Sequence, residues 1–139
     1  MGPKGTTIQS TKLKLICYWI VTIVVATELL VGGVWDLTQR ADAVQVVTHI
    51  GYPAYVLTIL GFWKLLAVIA WIVPGYPTLK EWAYAGVFFE LTGAAASHVL
   101  RGNPSEAILP LILAALSMAS WALRPSSRRF VMPPSIPSN

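Results

Sequence analysis

Two oppositely charged residues sit in the middle of otherwise apolar runs. Lys64 interrupts the stretch Ala54–Val73, and Glu90 interrupts Trp82–Leu100. An ammonium is a hydrogen-bond donor and a carboxyl is a proton source, and a bound carbonyl compound needs both. Each run is about as long as a bilayer-spanning helix, for which roughly 20 apolar residues suffice. Lys64 lies ten residues after Ala54 and Glu90 ten residues before Leu100. An antiparallel hairpin would therefore bring them to one level, about 15 Å in at 1.5 Å per residue. A lone charge at mid-bilayer costs at least about 2.5 kcal/mol even on the lenient insertion scale, so each is expected to face the protein interior and to find a partner.

The elements that would hold this pair follow from the chain in order. Residues 1–11 form a polar N-terminal tail, and residues 12–123 read as a four-helix membrane domain with spans at about 15–34, 54–73, 82–100 and 104–123. The first apolar run is longer than a signal-peptide core and no Ala-x-Ala site closes it, so it reads as an uncleaved helix carrying Glu28. Between the first two spans, Leu37, Ala41, Val44 and Val47 alternate with Gln39, Arg40, Asp42 and Gln45, a pattern suited to a short amphipathic segment at the outer surface. Pro74, Gly75 and Pro77 force a tight turn, and Thr78 with Glu81 has capping-box spacing. Asn103, Pro104 and Glu106 mark the next helix start, and Pro110 is expected to kink that helix. Residues 124–139 are basic, then Pro/Ser-rich, and are expected to be disordered. The fold class is thus an all-α membrane protein, an antiparallel bundle of four transmembrane helices with a short amphipathic outer segment between helices 1 and 2.

Composition agrees. Of 139 residues, 55% are hydrophobic and 12% charged, whereas about 25% charged is usual in soluble domains. The net charge of +4 arises from basic residues near the termini, not from a basic face interleaved with aromatics, so no nucleic-acid partner is expected. Cys17 is the only cysteine, which excludes an internal disulfide, a Cys-x-x-Cys redox pair and any Cys-based metal centre. Lys4, Lys12, Lys14, Lys80, Arg124, Arg128 and Arg129 share one side of a four-span topology, against Arg40 and Arg101 opposite. Both termini should then be cytoplasmic. Glu28, Asp36, His49, His98 and Arg101 fall in the outer half, above Lys64 and Glu90.

Helical geometry refines this funnel. At 100° per residue, Glu90, Ala94, Ser97 and Arg101 lie near one line, with Gly86 and Gly93 beside it and His98 about 80° round. Trp71 shares the Lys64 face. A faint repeat relates Glu28-Leu29 before Gly32-Gly33 to Glu90-Leu91 before Gly93-Ala94-Ala95.

The dipeptide Trp35-Asp36, the segment Gly61-Phe62-Trp63-Lys64-Leu65-Leu66 and the run from Phe89 to His98 (FELTGAAASH) resemble the DoxX-like family of small bacterial membrane proteins over about residues 13–123. The resemblance implies a four-helix membrane bundle in the bacterial cytoplasmic membrane, with Lys64, Glu90 and His98 at recurrent polar positions. It implies no single activity. Relatives are described as a subunit of a thiosulfate:quinone oxidoreductase and, among distant animal members, as a chaperone for nicotinic receptors. No catalytic residue is carried over.

Two function classes lead, ahead of a transporter, for which so short a chain would have to oligomerise. In the first, an outward-facing polar pocket formed from Lys64, Glu90, Glu28, His98, Ser97, Arg101, Asp36, His49 and Trp71 binds a small amphipathic molecule, a quinone or lipid-like metabolite, with proton or redox chemistry. In the second, the protein is a non-enzymatic chaperone or subunit whose small-residue stripe packs against a membrane-protein partner or a second copy; membrane lipids surround it either way. Structural readings stand beside both: a Lys64–Glu90 pair that fixes helix register, a hydrogen-bonded Glu28 carboxyl, interfacial hydrogen bonds for His49 and His98, and packing for Trp71. Glu28, Asp36, His49 and His98 are metal-ligating types, but their spacing matches no metal motif and no metal is expected.

Overall fold

The computed structural model describes residues 4–130, with side chains from residue 8 onward, and all its regular elements are helical. In chain order they are α1 (Lys4–Leu37), α2 (Ala41–His49), α3 (Tyr55–Ile72), α4 (Pro77–Leu100), a 3-10 turn (Pro104–Ala107), α5 (Ile108–Leu123) and a last 3-10 turn (Ser126–Arg128). Among the described residues, three helical stretches are long and apolar enough to cross a membrane: Ile8–Leu37, Tyr55–Ile72 and Pro104–Leu123. The third expected span, on α4, does not join them. Glu90, Ser97, His98 and the small residues between them lower its hydropathy, and some of these same residues line the cavity described below.

α1 packs against α3 and α5, and α4 packs against α5 and α3. The four long helices meet in one core: Val25 and Leu29 from α1, Val68 and Trp71 from α3, Tyr84, Val87 and Leu91 from α4, Leu113 and Ala114 from α5. Their outward faces carry exposed Ile23, Leu30, Phe62, Phe89 and Ile112. An apolar exterior around a packed interior suits a hydrocarbon solvent. Inside the core, Ser120 Oγ lies 2.6 Å from Thr22 Oγ1 and 2.7 Å from the Tyr84 hydroxyl, which ties α1, α4 and α5 through a short hydroxyl chain.

The α1–α3 crossing is set by glycine. A Cβ on Gly61 would fall 2.7 Å from the Gly33 carbonyl oxygen and 2.9 Å from the Leu37 backbone nitrogen, and one on Gly33 would fall 3.1 Å from the Lys64 Cβ. Only two hydrogens in place of side chains let these backbones approach so closely.

Several helix boundaries differ from the sequence reading, each for an identifiable reason. The polar N-terminal stretch is already helical from Lys4, continuous with α1. α4 begins at Pro77, whose missing N–H costs nothing at the first helical position, so Thr78 and Glu81 form no capping box. Glu81 is instead engaged by Arg124 and Trp121. Pro110 lies in the first turn of α5, after the 3-10 turn, where no bond to the preceding turn is required, and so it does not kink the helix midway. The C-terminal segment to residue 130 is packed rather than loose. Arg124 is 3% exposed, Arg128 donates to the Trp71 carbonyl (2.8 Å), and Arg129 donates to the carbonyls of Arg124 (2.7 Å) and Ala122 (2.8 Å). The remainder of the expected disordered tail, residues 131–139, lies outside the described residues.

Gly61→Ala is expected to lower stability by about 1–3 kcal/mol, because two backbones must separate to admit the methyl group. Gly86→Ala should be neutral or stabilising by up to about 1 kcal/mol, since a Cβ at Gly86 meets no atom within 4 Å and alanine is the better helix former. Thermal unfolding in detergent compares the two; equal melting temperatures would contradict the crossing geometry.

Candidate functional site

Three helices each contribute a stripe to one cavity of about 610 Å³. On α1, Glu28, Gly32 and Asp36 recur every four residues and so share a face. Leu60 and Lys64 do the same on α3, and Glu90, Gly93, Ala94, Ser97 and His98 face it from α4. α2 and the loop after it supply Val46, Val47, Ile50 and Tyr52. The Tyr52 hydroxyl lies 3.1 Å from Ser97 Oγ, which links that loop to α4.

Lys64 is the centre of the arrangement. Its Nζ donates to Asp36 Oδ2 at 2.7 Å and lies 3.3 Å from Glu90 Oε1. The three side chains are only 15%, 9% and 17% exposed. A methyl group on Gly32 would stand 3.5 Å from Glu28 Oε1 and 3.6 Å from Lys64 Nζ, so the bare backbone of Gly32 keeps space open between them. Glu28 Oε2 is buried without a hydrogen-bond partner. An ammonium has three N–H donors, and contacts to Asp36 and Glu90 leave one for another acceptor.

The structure divides the residues singled out from sequence. Lys64, Glu90, Glu28, Asp36, Ser97 and His98 line one cavity. Asp36 sits directly against Lys64: α1 continues to Leu37, past the expected end of the span, and the glycine crossing brings its last turn against that residue. The four-residue spacing of Glu28, Gly32 and Asp36 carried that signal. His98 Nδ1 lies 3.0 Å from Glu106 Oε2, yet the two are not aligned as a hydrogen bond.

Three other residues are not cavity-lining. His49 Nε2 lies 2.8 Å from Asn103 Nδ2, joining α2 to the turn after α4. Arg101 donates to the Ile50 carbonyl (3.0 Å) and lies over Gly51, whose φ of +97° and missing Cβ leave room for the guanidinium. Trp71 is 2% exposed and stacks on Tyr84 at 4.5 Å, so it belongs to the core.

A second polar cluster lies at the end of the molecule that carries the α3–α4 turn. Lys80 is 1% exposed; its ammonium donates to the Ala70 carbonyl (2.6 Å) and to the Val73 carbonyl, satisfying the free C-terminal carbonyls of α3. Arg124 pairs with Glu81 at 2.7 Å and lies over the Tyr84 and Trp121 rings, while Trp121 Nε1 donates to the other Glu81 oxygen at 2.7 Å. Nothing in the sequence pairs these residues, which come from the start of α4 and the end of α5. Burial pushes the Glu81 carboxyl up, but the bonds from Trp121 and Arg124 and the Arg124 charge outweigh it and hold the group below its ordinary value.

A helical chain with an apolar exterior, helices long enough to cross a bilayer and buried charge within defines an integral membrane protein. A model of the DoxX-like family matches residues 20–120, and the chain belongs to that family. No curated protein sequence and no solved structure matches it.

The Glu81 geometry has a pH consequence. A depressed folded value means that the stabilisation is complete above the ordinary value of 4.5 and is lost as pH falls through the lower folded value. Melting temperature should therefore decline below about pH 4.5. Glu81→Gln should melt lower than the parent at about pH 7 and show a smaller acid decline. Identical pH profiles for parent and variant would refute the pairing.

Proposed function

We propose that all four long helices cross the membrane as an antiparallel bundle, α4 included, and that both termini face the cytoplasm. α4 is 24 residues long, its charged Glu90 is matched by Lys64, and the basic residues Lys12, Lys14, Lys80, Arg124, Arg128 and Arg129 lie toward the end that the positive-inside rule assigns to the cytoplasm. In this orientation the cavity around Lys64 opens toward the outer half of the membrane.

We infer that the cavity binds a small amphipathic molecule with a compact, oxygen-bearing head, such as a quinone or a lipid-like metabolite. The observation that carries the reading is the Lys64 ammonium, held between Asp36 and Glu90 at the side of a cavity that joins polar groups (Glu28, Asp42, Tyr52, Ser97 and His98) to apolar ones such as Val46, Val47, Val56 and Leu60. A pair that served only to fix helix register would be expected to be packed over. Here space remains beside it at Gly32, where a methyl group would stand 3.5 Å from Glu28 Oε1. Lys64 would donate its third hydrogen bond to a ligand oxygen, and Glu28 or Glu90, when carrying a proton, would supply one to a second oxygen. His98 and Ser97 would shape the outer part of the site. A quinone would bring its own redox chemistry, with these residues binding and moving protons.

Lys64→Met is the direct test. A hydrogen bond from a charged donor is worth about 1.5–3 kcal/mol, so affinity for a decyl-substituted benzoquinone should fall about 10- to 100-fold. Quenching of tryptophan fluorescence measures this, with Trp35 lining the cavity as the reporter. Undiminished binding by a folded Lys64→Met protein would refute the reading.

A further inference from the structure

A second cavity of about 480 Å³ runs along the outside of the α3–α4 pair. Its walls are apolar, with Leu66 and Trp63 on α3 facing Trp82 and Gly86 on α4, and both tryptophans are well exposed. It shares Leu60 and Glu90 with the polar cavity. Glu90, whose Oε1 lies 3.3 Å from Lys64 Nζ, thus lines both spaces. From Glu90 to Trp82 the groove follows eight residues of α4, about 12 Å at 1.5 Å per residue.

We propose that this groove is the seat of the hydrocarbon tail of the amphiphile whose head occupies the polar cavity, and that the ligand enters sideways from the bilayer between α3 and α4. The proposal rests on the head-group reading above and extends it to a second subsite. Bulk lipid would wet any apolar face, but it would not account for a groove that shares a half-buried carboxylate with a polar chamber. A molecule with one polar end and one apolar chain matches both environments and their junction. Gly86 lies one turn before Glu90, and a Cβ there would meet no atom within 4 Å, so the groove passes over bare backbone immediately below the junction. Small ligand sites are mostly apolar with a few placed polar groups, and here the two parts are separated along one line.

Two probes separate the subsites: a benzoquinone bearing a decyl chain, and the same ring without the chain. Each is titrated against the full chain in lipid nanodiscs. The parent protein should bind the decyl probe more tightly than the bare ring. Gly86→Phe, whose Cβ meets no atom within 4 Å and whose ring would occupy the groove, should weaken the decyl probe at least tenfold and leave the bare ring within twofold; Leu66→Trp should do the same from the α3 side. Lys64→Met should weaken both probes. Equal affinity of the parent for the two probes, or unchanged decyl binding in both groove variants, would overturn the tail site while leaving the head-group reading intact. Loss of both probes in the groove variants alongside a change in oligomeric mass would also overturn it, assigning the groove to a second copy of the chain. Insensitivity of both probes to Lys64→Met would overturn the head-group reading itself.

Discussion

An ammonium in the middle of an apolar helix has to be matched inside the protein, because hydrocarbon offers it no solvation. Lys64 meets that constraint with Asp36 and Glu90, one from α1 and one from α4. Three helices are thereby tied through one nitrogen. The contact carries a large penalty if half-made: removing one partner of a buried pair typically costs about 3–5 kcal/mol. The helices must therefore be held in register around it by the rest of the packing.

That packing is achieved by two different means at the two ends of the molecule. Toward the Lys64 end, Gly33 and Gly61 bring α1 and α3 into backbone contact, and the last turn of α1 carries Asp36 over the ammonium. Arg101, His49 and Asn103 then bind the α2 region to the end of α4 through one carbonyl and one side-chain contact. At the other end, buried cations do the work of helix capping. Lys80 closes the carbonyls of α3, and Arg124 holds the start of α4 to the end of α5 through Glu81. Basic residues thus serve in two capacities, as internal hydrogen-bond donors to backbone carbonyls and, in the proposed topology, as the charge that keeps this end on the cytoplasmic side.

Much of the site was readable because helices are periodic. Lys64 and Glu90 stand out as charges in apolar runs, and the stripe of Glu90, Ala94 and Ser97 follows from 100° per residue. Periodicity says which face a residue occupies; it does not say which neighbour that face meets. Trp71 shares the Lys64 face on paper but lies seven residues away, about 10 Å along the axis, which moves it out of the cavity and onto Tyr84. Arg101 continues the α4 stripe, but its side chain is long enough to leave it and reach Ile50. Glu81 has capping-box spacing, and a stronger charge-assisted partner from the other end of the chain takes it instead.

What the amino-acid sequence determined by itself was local and additive: helical periodicity, the apolar lengths of the spans, the turn at Pro74–Gly75, and the membership of the chain in a membrane family. What only the tertiary structure decided was pairing. Asp36 and Glu90 as the partners of Lys64, and the Arg124–Glu81–Trp121 cluster, depend on residues 26 to 43 positions apart in the chain. Which of several charged neighbours is met first is set by helix crossing and rotation, and these depend on where two glycines allow the backbones to touch.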